Sequence, residues 1–206
     1  MCWVAGDILT QVNPGFEVTN NEWSMYMNIA YRFLEANAAP NAESVYPFVD
    51  YWSHHISNAD MMRTVSFPDK PVNTTAALHV EGDFTKVFHD RPASFDAVVT
   101  HFFIDTARNL MAYLETIHRL LPPGGHWVNF GPLLYGTGPL VQLSLEEILA
   151  VAETMGFEFL ETGDECGELT IEGAKVRGLQ AVYGFNSKAL TRNAYQAQFW
   201  VARKKG

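Results

Sequence analysis

Apolar and polar positions along the chain follow two rhythms, and the clearest switch between them lies from Phe95 to Pro132. Ala97 to Thr100 is a short apolar run of the kind that forms a strand buried on both faces. A polar and aromatic junction follows, Thr100-His101-Phe102-Phe103-Ile104-Asp105-Thr106. Beyond it Leu110, Tyr113, Leu114, Ile117, Leu120 and Leu121 recur at helical spacing, with Thr106 as the predicted N-cap. Pro122, Pro123 and the Gly124-Gly125 pair stop that helix, and His126 to Phe130 reads as the next strand. A strand–helix–strand unit of this length predicts a parallel crossover, and such sheets bind ligands at the carboxyl ends of their strands. His101, Asp105, Asn129 and Tyr135 fall at that end.

Upstream, Phe16 to Thr19 predicts a strand with Asn20-Asn21-Glu22 as its polar end, and Ser24 caps a helix running through Met25, Ile29, Phe33 and Leu34. Residues 36–76 carry Pro40, Pro47, Pro68 and Pro71 among small and aromatic residues, which predicts an irregular, lid-like excursion over a ligand. Ala77 to Val80 is a strand and Thr85 to His89 a short helix. Ser144 with Glu147 three residues later forms a capping box for a helix from Leu145 to Met155, which Gly156 ends. Phe157 to Glu161 is a strand, Asp164 to Gly178 a loop, and residues 180–185 pair with the alternating Tyr195 to Lys204 segment. Before Pro14 the pattern supports only a stub of strand at Cys2 to Ala5 and about one helical turn at Ile8 to Val12. Strands alternating with helices, then a closing strand pair, predict one α/β domain over 1–206 with a doubly wound, mostly parallel sheet and a late antiparallel strand.

Composition narrows the function without naming it. The 206 residues are 48% hydrophobic and 18% charged, enough to bury a core without disulfides. A formal charge of −9 argues against nucleic acid, whose phosphates need clustered Lys and Arg. Cys2 and Cys166 are the only cysteines, so the expected compartment is reducing: cytoplasmic, with the nucleus also open. Neither a membrane-length apolar run nor a signal-peptide pattern is present. His54-His55 lacks a partner at ligand spacing, so no metal site is expected.

Four local strings then converge: Asn21-Glu22-Trp23-Ser24, Gly82-Asp83-Phe84, Phe102-Phe103-Ile104-Asp105-Thr106-Ala107, and Asn129-Phe130-Gly131-Pro132-Leu133-Leu134-Tyr135. In this order and at this spacing the chain resembles the carnosine N-methyltransferase (N2227-like) family of class I S-adenosylmethionine-dependent methyltransferases. The resemblance implies a Rossmann-like sheet and transfer of a methyl group to an imidazole nitrogen of carnosine or a related histidyl small molecule. It implies that Glu22 binds the ribose hydroxyls of S-adenosyl-L-methionine, that Asp83 and Phe84 hold the adenine, and that His101 lies beside the cofactor. Asp105 would accept the imidazole N–H as the catalytic group, with Tyr195 and Tyr135 on the substrate side. A carboxylate holding one ring nitrogen leaves the other as nucleophile and stabilises the charge that grows on methylation. Beyond the small-molecule substrate, the one protein partner entertained is a second copy of the chain, as a homodimer.

Two departures from the family pattern qualify this reading. Gly136 stands where carnosine-methylating members carry a substrate-contacting His, so a different small-molecule acceptor is the first alternative. The glycine-rich cofactor turn is absent: Gly6 and Gly15 do not form G-x-G at the needed place. The first βα unit is therefore read as short or missing, with residues 1–15 its remnant and the chain as an N-terminally truncated form. A catalytically impaired binding module is the second alternative. Without the resemblance, Asp105 would be a helix-start charge, Asp83 a turn aspartate and Phe84 plain core.

Overall fold

The computed structural model describes residues 15–50, 52–69, 77–136, 138–184 and 186–206. The predicted strand stub at Cys2 to Ala5 and the helical turn after it lie outside these residues. In chain order the elements begin with β1 (Val18–Glu22), α1 (Met25–Ala36), β2 (Glu43–Val45), α2 (Asn58–Met61) and β3 (Val65–Phe67). Next come β4 (Ala77–Glu81), α3 (Phe84–Val87), β5 (Ala97–His101), α4 (Leu110–Leu120) and β6 (His126–Gly131). The chain closes with α5 (Leu145–Thr154), β7 (Phe157–Phe159), β8 (Glu168–Leu169), β9 (Arg177–Tyr183) and β10 (Asn193–Lys204).

The predicted crossover is present: β5 and β6 are parallel neighbours, from Ala97 opposite His126 to His101 opposite Phe130, with α4 between them in sequence. Antiparallel β10 lies on the other side of β6, and β7 and β9 both pair with β10. The larger sheet therefore has the order β5-β6-β10-β9-β8, with β7 on β10. β1 and β4 form a separate parallel pair, in register from Val18 opposite Ala77 to Glu22 opposite Glu81. Among the described residues no ladder joins this pair to β5.

Several local expectations are corrected, each for a visible reason. Thr106 does not cap α4. Its hydroxyl donates to the Phe103 carbonyl at 2.6 Å, closing a 3₁₀ turn over Ile104–Thr106. Asn109 takes the cap instead, its side-chain oxygen accepting from the Ala112 amide at 3.2 Å. The first strand begins at Val18 rather than Phe16, which is exposed. Its polar residues belong to the strand because they are satisfied sideways: Asn21 donates to the Val80 and Gly82 carbonyls, and Asn20 reaches His79. The excursion from 36 to 76 holds β2, α2 and β3, the two strands paired antiparallel. The expected loop from Asp164 to Gly178 contains a 3₁₀ turn, β8 and the start of β9. The Ser144–Glu147 capping box forms as predicted.

The core gathers on the larger sheet. Leu110, Leu114, Ile117 and Leu120 of α4 pack with Ile148 and Ala152 of α5 against Trp127, Phe157, Trp200 and Ala202. Trp127 and Trp200 are fully buried and meet edge to face, with ring centroids 5.2 Å apart. One polar relay crosses three strands inside this core. The Trp127 Nε1–H donates to Thr100 Oγ1, that hydroxyl donates to Asn129 Oδ1, and Asn129 Nδ2 donates to the Gln198 carbonyl. A one-residue slip would bury each of these groups unpaired, so the relay fixes the β5–β6–β10 register. Asn129 is thus a sheet residue, 1% exposed, and not part of the ligand-facing end.

Candidate active site

The carboxyl ends of β1, β4 and β5 carry the sequence-predicted donor-side residues. Glu22 ends β1, and one carboxylate oxygen accepts from the Ser24 amide at 2.7 Å, folding the side chain toward the start of α1. The Gly82 amide donates to the Glu22 carbonyl, which ties the end of β4 to the end of β1. Gly82 has φ +132°, and a Cβ there would stand 2.6 Å from a Val87 methyl, so this turn requires glycine. The turn aims Asp83 into the N-cap of α3. One Asp83 oxygen accepts from the Thr85 amide and hydroxyl, and the other lies 3.3 Å from Lys86 Nζ. Burial would raise the Asp83 pKa, but its bonds to Thr85 and the Lys86 charge outweigh that and lower it, keeping it an anion. Phe84 is 8% exposed and meets Phe88, Phe103 and Tyr113 edge-on, so its ring is largely core. A shallow cavity of about 300 Å³ opens beside this turn, lined by Trp23, Met25, Ile29, Arg32, Glu81 and Gly82 among others.

On the acceptor side the backbone makes an unusual step. Phe102 follows β5 with φ +50°, and a Cβ on Gly131 would lie 2.9 Å from its N and Cα. Gly131 is what lets the two chains approach here. The step leads into the 3₁₀ turn that carries Asp105, which is 7% exposed. Burial raises the Asp105 pKa, and its hydrogen bond from the Leu134 amide at 3.0 Å only partly opposes this. Tyr135 is close enough for the Asp105 charge, after burial, to raise its pKa as well. The Tyr135 hydroxyl donates to the Leu143 carbonyl at 2.7 Å, so its proton is committed.

His101 is half-buried beside the rings of Phe102 and Phe130, and burial lowers its pKa, favouring the neutral imidazole. From Phe102 an aromatic wall continues onto the β9–β10 hairpin. Tyr183 lies nearly parallel to Phe102 with centroids 6.0 Å apart, and Tyr195 meets both rings edge-on. Phe102 and Tyr183 are additions to the sequence-derived residues. The Phe102 position was visible in its string, whereas Tyr183 is brought there only by pairing across the hairpin. Gly136 is exposed, with open space where a side chain would stand. Among the described residues no cluster of three or more His, Cys, Asp or Glu could hold a metal ion, and no helix is long and apolar enough to cross a membrane.

A family model described as carnosine N-methyltransferase matches residues 4–206. The chain belongs to the carnosine N-methyltransferase family. It is 31% identical over 211 residues to the carnosine N-methyltransferase of Schizosaccharomyces pombe, covering 92% of this chain and 53% of that protein. It is 32% identical over 201 residues to the mouse carnosine N-methyltransferase, covering 92% of this chain and 46% of the relative. The chain therefore spans about half the length of the curated relatives it matches. Among solved structures, a SAM-dependent methyltransferase from Methanosarcina mazei superimposes with a TM-score of 0.53 at 13% identity, covering 96% of this chain and 86% of that one. That likeness establishes the Rossmann-like fold for this member of the carnosine N-methyltransferase family: parallel strands flanked by helices, with antiparallel strands at the C-terminal end.

Proposed function

We propose that this chain transfers a methyl group from S-adenosyl-L-methionine to an imidazole nitrogen of carnosine or a closely related histidyl small molecule. Family membership supports the reaction class. The observation that carries the reading is Asp105, a carboxylate almost fully buried, whose proton affinity burial raises despite hydrogen bonds from the Leu134 amide and its own amide. Burying such a group without a use for it costs stability, so its position favours a ligand that donates to it.

The described residues fit the adenosine half of the cofactor. Glu22 offers its second carboxylate oxygen, without a partner among the described residues, for two hydroxyls, and Asp83 is held anionic in the turn after β4. The cofactor supplies a methyl carbon already activated on a sulfonium. The chain's task is to orient and desolvate the acceptor. Asp105 accepts the N–H of one imidazole nitrogen, which fixes the tautomer and leaves a lone pair on the other. The aromatic faces of Phe102, Tyr183 and Tyr195 then favour the imidazolium charge as it forms. With its pKa raised, Asp105 is also suited to take the ring proton after transfer.

Incubation with S-adenosyl-L-methionine and carnosine, followed by mass spectrometry, should show one added methyl group on the dipeptide. Asp105→Asn keeps an oxygen for Leu134 and should lower turnover by about 100-fold or more with cofactor affinity unchanged. Cofactor binding without methylation of any imidazole tested would overturn the reading. The open space at Gly136 favours a second acceptor of related shape, so free histidine belongs in the same assay. Family membership does not favour the binding-module alternative.

A further inference from the structure

Among the described residues, the excursion between α1 and β4 meets the tip of the β9–β10 hairpin. The backbones of His55 and Ala189 form an isolated antiparallel bridge, and the Leu190 amide donates to the His54 carbonyl at 2.7 Å. Beside this bridge, Arg63 joins the two segments with its side chain. One terminal nitrogen donates to the Asp60 carbonyl and the other to Asn186 Oδ1, each at 2.6 Å. The guanidinium lies 3.7 Å from the centroid of the Phe48 ring. Its orientation is therefore set on its own side of the contact before it reaches across.

Asn186 organises the hairpin tip that Arg63 grips. Its side-chain oxygen also accepts from the Lys188 amide at 3.1 Å, and its carbonyl accepts from the Ala189 amide at 3.1 Å. Three residues before it stands Tyr183, and the second strand of the same hairpin carries Tyr195. α2 is itself fixed by its Ser57 N-cap, which accepts from the Asp60 amide, and by Met61, which is 5% exposed. A charge-assisted bond anchored at both ends thus connects a fixed part of the excursion to the turn that sets the spacing of two aromatic wall residues.

We propose that Arg63 and Asn186 form a latch by which the excursion positions Tyr183 and Tyr195 for the acceptor, making Arg63 a positioning residue for acceptor binding and not for cofactor binding. This rests on the acceptor reading given above. It extends the determinants of acceptor recognition to the excursion between α1 and β4.

The test compares wild type, Arg63→Met, Asn186→Ala and the double variant in steady-state methylation. Each variant should raise KM for carnosine about tenfold, with kcat and KM for S-adenosyl-L-methionine within about twofold of wild type. The double variant should be less than additive and about as impaired as the worse single one, because both remove the Arg63–Asn186 bond. Hydrogen exchange gives a readout independent of turnover: the Ala189 and Leu190 amides should exchange faster in Arg63→Met, and those of β6 should not. An unchanged acceptor KM, or equal losses for both substrates, overturns the latch while leaving the functional reading intact. Wild-type protein that binds cofactor but no imidazole compound overturns the functional reading, and the positioning role with it, even where the exchange data show the latch closed.

Discussion

The acceptor half and the donor half of the site are built on different foundations. Phe102 and Asp105 directly follow β5 and Tyr195 lies on β10 of the larger sheet, whose Trp127, Phe157 and Trp200 are fully buried and whose strands are cross-linked by the Thr100–Asn129 relay. Glu22 and Asp83 stand on the two-stranded β1–β4 pair, beside a helix that leaves Tyr26 79%, Ile29 57% and Phe33 43% exposed. In the proposed reaction, the half that would hold a ring nitrogen in line with a methyl carbon is thus the better packed one. Orientation errors of an ångström are costly in this chemistry, and a packed sheet limits them better than a strand pair does.

The largest effect should come from breaking the better packed half itself. Trp200→Ala removes a fully buried indole that packs on both Trp127 and Phe159, and should cost about 3–5 kcal/mol in a denaturant titration. A cost below about 1 kcal/mol would show that the larger sheet is not the stable half. Native-state hydrogen exchange sharpens the same contrast. Amides of β6 and β10 should exchange at least about 100-fold more slowly than those of β1 and β4, since among the described residues the latter share one ladder and few buried side chains. Equal protection in the two sheets would erase the distinction.

The smallest effect is a pH dependence confined to the donor half. His79 accepts from Asn20 on one ring nitrogen, donates to Asn28 Oδ1 through the other, and stacks on Tyr31. Burial lowers its pKa, with Glu81, Glu35 and Glu22 partly opposing. A histidine with a folded pKa below its unfolded value of about 6.5 binds fewer protons when folded, so its contribution is full above that pH and is lost as pH falls. Wild-type stability should therefore decline more steeply as pH falls below about 6.5 than that of His79→Gln. Parallel slopes would remove His79 as a source of the trend.

Sequence reasoning was strongest where one element could be read from its own residues. The β5–α4–β6 crossover follows from an apolar run, a helical stripe and a Pro-Pro-Gly-Gly stop, and the capping box at Ser144 needed only two residues. It failed where side chains were satisfied by distant partners. Thr106 carries the right chemistry for a cap, yet the Phe103 carbonyl claims its hydroxyl, and Asn109 caps α4 instead. Asn129 falls at a strand end in the sequence, but its two hydrogen-bonding groups are spent on Thr100 and Gln198, one of them 69 residues away. Asp83 was legible both as a turn aspartate and as a ligand, and in the structure its geometry is that of a helix cap whose second oxygen faces Lys86.

By itself the sequence determined the alternation of strands and helices, the carboxyl-end location of Asp105 and the family, because periodicity and short strings are local properties of the chain. Only the tertiary structure decided that Asp105 is buried with its second oxygen uncommitted to Leu134, and that Phe102, Tyr183 and Tyr195 form one wall. It also decided that Arg63 reaches Asn186 across 123 residues. Each of these depends on which strand lies beside which, and on the free energy of burial that selects the pairing. No window along the chain contains that information.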